Sequence, residues 1–131
     1  MRRKVYDSKI IYIRFHKDID DLMIAEANKR GKPKASLIAE ILTEYIQKLT
    51  NACNGNFKTV TGKKLSFPSL SSSFFVKKGR AAESRLGSPM RVTMKDIDEG
   101  NMKLAAFHSG YSITQFRTAI LVKWLCDEGI V

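Results

Sequence analysis

The sequence predicts a mainly α-helical fold carrying one two-stranded antiparallel ribbon, built from two copies of a strand-helix-helix unit in a single chain. Three observations predict it. Residue types recur at an offset of 79 positions, pairing Leu37 with Phe116, Ile41 with Ile120, Leu42 with Leu121, Tyr45 with Trp124 and Ile46 with Leu125. Apolar spacing changes from strand-like to helical at matching points in both copies. Gly31 and Gly110, natural helix stops, stand at that same offset.

In the first copy, Ile10 to Phe15 (IIYIRF) is a β-branched and aromatic run, which favours a strand. Asp18 and Asp21 open a helix, because acids suit the positive end of its dipole. Leu22, Met23 and Ala27 then recur at helical spacing up to Gly31. After Lys32 and Pro33 a second helix presents Leu37, Ile38, Ile41, Leu42, Tyr45, Ile46 and Leu49 on one face. In the second copy, Met90 to Met94 (MRVTM) alternates strictly, and Asp96 with Glu99 opens a helix. Met102, Ala105 and Ala106 lead to Gly110, and Ser112 with Gln115 forms a capping box. The last helix carries Phe116, Ile120, Leu121, Trp124 and Leu125. One string disagrees with the offset: KDID at Lys17 matches KDID at Lys95 with a shift of 78. Strand parity favours 79, which aligns Ile11, Ile13 and Phe15 with Met90, Val92 and Met94, and allows the second copy's helix to start one residue differently.

The expected organisation is therefore residues 1–50 as the first unit with a basic N-terminal arm, 51–87 as a basic linker, and 88–131 as the second unit, with both units in one folded body. The net charge of +10 is unevenly spread: +4 over residues 1–50, +6 over 51–88 and zero over 89–131. Such an excess points to a polyanion, nucleic acid before membrane surface. Within the linker, Lys58, Lys63, Lys64, Lys77, Lys78 and Arg80 make it basic, while Leu65, Phe67, Leu70, Phe74 and Phe75 make it apolar in patches. That suggests packing partly on the core and partly near DNA, with a hairpin over Thr59 to Phe67.

Strand, helix, glycine turn and helix in this order resemble the ribbon-helix-helix family of DNA-binding proteins, over Lys9 to Leu49 and Ser88 to Asp127. One such unit buries too little surface to fold alone, so two intertwine, usually as a dimer. Here the resemblance implies an intramolecular pseudodimer, monomeric with internal pseudo-twofold symmetry. The tandem arrangement is similar to TraY-type relaxosome proteins and to the accessory ribbon-helix-helix virulence protein of T-DNA transfer, though no diagnostic motif is shared.

A two-stranded ribbon fits the major groove, and alternation lets only one parity of its side chains face the bases. With Met90, Val92 and Met94 inward, Arg91, Thr93 and Lys95 face out, and Ile10, Tyr12 and Arg14 are the outward set of copy one. Arg14 and Arg91 suit guanine, Thr93 either kind of base or a thymine methyl, and Tyr12 a hydroxyl contact or packing on a methyl or the sugar. The resemblance further implies that the second helices aim their N-termini at phosphates. Those positions are Lys34 and Ala35 in copy one, then Ser112, Ile113 and Thr114 in copy two, with Lys32 beside Lys34. Pro33 stands where the family has a capping Ser or Thr, which shifts weight to the two lysines. Arg2, Arg3, Lys4 and Lys9 form either an arm along the phosphates or a solvated basic tail.

No apolar run is long enough to span a membrane, and the basic start lacks the apolar stretch of a signal peptide. Cys53 and Cys126 form no CxxC, and His16 and His108 fall in no catalytic or metal-binding spacing, reading instead as surface or capping residues. The expectation is a cytoplasmic bacterial protein with no enzymatic activity, cofactor or metal. Its expected partner is double-stranded DNA, with relaxase-type or other DNA-processing proteins beside it. The leading function is an accessory factor for conjugative plasmid or T-DNA processing and transfer; a transcriptional repressor of the same fold is the alternative.

Overall fold

The computed structural model describes residues 8–58, 87 and 89–130. Strand β1 (Ser8–Ile13) is followed by α1 (Lys17–Arg30) and α2 (Lys34–Cys53). Strand β2 (Met90–Lys95) is followed by α3 (Asp96–Ser109) and α4 (Ile113–Asp127). The two strands pair antiparallel with each other, and the described residues are otherwise mainly helical.

The ribbon runs from the pair Ser8–Lys95 through Ile10–Thr93, Ile11–Val92 and Tyr12–Arg91 to Ile13–Met90. Alternation sends Ile11, Ile13, Val92 and Met94 into the core, where water-avoiding side chains meet the helices. Beyond β1 the contact continues, because the Gly87 amide donates to the Phe15 carbonyl at 2.8 Å. Pairing also reaches further back than the apolar run suggested. Lys9, expected in an arm before the strand, lies within β1 opposite Met94, because the ladder extends to Ser8.

Both first helices stop in the same way. Gly31 (φ 68°) and Gly110 (φ 80°) take the left-handed conformation that a side chain would oppose. The amides of Lys32 and Tyr111 then donate back to Ala27 and Ala106, at 3.1 and 3.0 Å. The second helices start differently. Pro33 gives α2 no side-chain cap, whereas Ser112 Oγ accepts from the Gln115 amide at 3.1 Å while Gln115 Oε1 accepts from the Ser112 amide at 3.2 Å. At the start of α1, His16 Nδ1 accepts from the Asp18 amide at 3.1 Å. His16 is thus a cap, as expected, but a buried one.

The core gathers Ile19 and Met23 of α1, Leu37 to Leu49 of α2, Met102 of α3 and Phe116 to Leu125 of α4 beneath the ribbon. Tyr45 of α2 meets Phe116 of α4 edge to face at 6.2 Å, and burial, with Tyr111 adding to it, pushes its hydroxyl pKa well up. Helix α4 is buried almost all round from Phe116 to Val122, more than its apolar positions implied. Two places correct the expected boundaries. Helix α2 runs to Cys53, past the expected start of the linker, and stops at Asn54 in the left-handed conformation. The KDID strings are not equivalent: Lys17 is the first helical residue of α1, but Lys95 ends β2 and precedes α3 without a side-chain cap. Both helices are 14 residues long and begin 79 positions apart, so no one-residue displacement occurs. The expected hairpin over Thr59 to Phe67 lies outside the described residues, as do Arg2, Arg3, Lys4 and most linker cations.

Candidate nucleic-acid interface

The outward face of the ribbon holds Ser8, Ile10 and Tyr12 on one strand and Arg91, Thr93 and Lys95 on the other, all exposed. Tyr12 is 71% exposed and stands opposite Arg91. With Arg14 just past β1, this face carries three cations and no acid. Among the described residues, no carboxylate forms a salt bridge with Arg91 or Lys95, so their charge is left to meet solvent or a ligand. The inward residues hold the face in register, since a one-residue slip would expose Ile11, Ile13, Val92 and Met94 together.

Arg14 is the member of the expected set whose setting differs. Its Nε donates to the Gly87 carbonyl at 2.8 Å, which ties the guanidinium back to the end of the ribbon. Gly87 also packs against Asp20, and a Cβ built there would fall 2.6 Å from Asp20 Oδ2. Asp20 is buried and accepts from Lys34 Nζ at 2.8 Å. A continuous chain of contacts therefore joins Arg14, Gly87, Asp20 and Lys34, bringing the N-terminus of α2 beside this end of the ribbon.

The lysines expected at phosphates are partly engaged by acids. Lys34 is bound to Asp20, and Lys32 Nζ lies 2.8 Å from Glu40. Ala35 is half-buried at the start of α2. At α4, Ser112 and Thr114 are exposed and Ile113 half-buried, with the capping box fixing the turn. Sequence reasoning missed two contacts made by buried carboxylates of α3. Glu99 pairs with Arg117 at 2.7 Å, both buried, and Asp98 accepts from Gln47 Nε2 at 3.3 Å. The available signal was a lone arginine inside the apolar run Phe116 to Val122.

Among the described residues, no cluster of three or more His, Cys, Asp or Glu side chains is placed to hold a metal, and no helix is long and apolar enough to cross a membrane. The class these residues define is a helical body bearing a two-stranded ribbon with a cationic outer face. No family model, no curated protein and no solved structure matches the chain.

Proposed function

We propose that the chain is a tandem ribbon-helix-helix protein that binds double-stranded DNA by laying its ribbon in the major groove. The register of the ribbon carries this reading. Tyr12 pairs with Arg91, and these two residues stand at the 79-residue offset that also relates Gly31 to Gly110 and the starts of the helices. An antiparallel ladder in which a residue faces its own repeat equivalent has a pseudo-twofold axis through that point. The axis falls within the contact that runs from Ser8–Lys95 to Phe15–Gly87, as an intramolecular pseudodimer requires.

The cationic, acid-free outer face and the net charge of +10 support a duplex partner. Around the axis the face is unlike on its two sides, since Ile10 and Thr93 have Pro89 and Arg14 as their repeat equivalents. Two unlike half-faces suit a non-palindromic site, which favours an accessory role in DNA processing for plasmid or T-DNA transfer over a repressor of palindromic operators.

Gel-shift titration of a random-sequence duplex pool and of single strands, across a salt series, tests the reading. The expected result is duplex preference, with affinity falling steeply as salt releases counterions from phosphates. Arg91→Ala should cost about 1–3 kcal/mol on a selected duplex and relax base choice at one position. Equal binding of single strands, or an Arg91→Ala variant with unchanged affinity and selectivity, contradicts it.

A further inference from the structure

Ile10 is 52% exposed in the middle of an otherwise polar face. A single exposed isoleucine is ordinary on a soluble protein, but this one has a particular neighbour. It stands directly opposite Thr93, and side chains so placed have Cβ atoms about 4.5–5.5 Å apart. Ile10 and Thr93 thus stand as neighbours on the exposed face, flanked by Tyr12–Arg91 on one side and Ser8–Lys95 on the other. Across the Tyr12–Arg91 centre the pair is of another kind, an exposed proline ring facing a cation instead of a second aliphatic side chain. The equivalent positions are Pro89 and Arg14, and the Arg14 guanidinium is bound to the Gly87 carbonyl.

Of the groups that base edges present in the major groove, the thymine C5-methyl is the apolar one. Resting on the duplex-binding reading above, we infer that Ile10 and Thr93 together read a thymine methyl on one side of the centre only. The remaining cations then contribute hydrogen bonds to guanine and phosphate, while this pair contributes contact with a methyl group. Thymine selection becomes lopsided within the bound site, which gives the otherwise twofold-like ribbon a direction on the duplex.

The test uses the full chain and a duplex selected from a random pool, remade with deoxyuridine replacing thymidine one position at a time. Deoxyuridine keeps the base pairing and the O4 acceptor and removes the methyl alone. The expected result is a loss of about fourfold per contacted methyl, at one or two positions on one side of the centre. Ile10→Ser, at an exposed site, should bring that discrimination below twofold while guanine selection persists. Thr93→Ser, which keeps the hydroxyl, should reduce it in part. Tight duplex binding that ignores every thymine methyl, or full discrimination retained by Ile10→Ser, overturns this inference and leaves duplex binding standing. Absence of duplex preference overturns both.

Discussion

Gly87 shows how much a single residue can fix. Its amide bonds the Phe15 carbonyl, its own carbonyl accepts from Arg14, and its α-carbon lies against Asp20. An added methyl would stand 2.6–2.8 Å from three Asp20 side-chain atoms, and Asp20 cannot swing away without leaving Lys34. Gly87→Ala should therefore destabilise the fold by about 1–3 kcal/mol, read as a lower urea midpoint. An unchanged midpoint would mean that this end of the ribbon is free to shift. The requirement was invisible in the sequence, where Gly87 reads as the end of a linker. The outward set, by contrast, was legible: alternation alone separated Ile10, Tyr12, Arg91, Thr93 and Lys95 from the core residues. Arg14 had the right parity, but its bond to a backbone carbonyl distant in sequence could not be read from spacing.

Among elements, the helices and both glycine turns were legible because amphipathic spacing and left-handed caps are local signals. The buried ion pair was not, because it depends on how α3 lies against α4. The matching KDID strings left only the start of the second copy's first helix open by one residue, for a related reason. Identity favours an offset of 78, yet packing decides, and it buries Ile19 while leaving Ile97 46% exposed. At the 79-residue offset Asp98 stands where Ile19 does, and Gln47 of α2 donates to its buried carboxylate. Glu99 and Arg117 hold α3 against α4 with a 2.7 Å contact, although Glu99 Oε2 and Arg117 Nε have no hydrogen-bond partner among the described residues. Removing one charge should cost about 3–5 kcal/mol, since the other stays buried without compensation, whereas replacing both with apolar residues should be close to neutral. Chemical denaturation of Glu99→Gln, compared with Glu99→Leu combined with Arg117→Met, checks this. A double variant less stable than the single one would show that the pair stabilises the helix contact outright.

At the scale of the molecule, residues 79 positions apart are packed alike while the charge is unevenly spread. Residues 89–131 carry no net charge, although Arg91 and Lys95 lie among them, and all of the net charge lies in residues 1–88. The core follows the repeat: Leu42 and Leu121 are both buried, as are Ile41 and Ile120, and Ile46 and Leu125. The outer face does not follow it. That combination was only partly legible, because a repeat announces shared packing, while register and the ties of Arg14 and Lys34 emerge from contacts between distant segments. The central claim, a ribbon seated in the major groove, is tested most directly by methylation interference on the selected duplex. Methylation of guanine N7, which lies in the major groove, should block binding at positions within the site, and Arg91→Ala should relieve one of them. Interference confined to adenine N3, in the minor groove, would contradict the account.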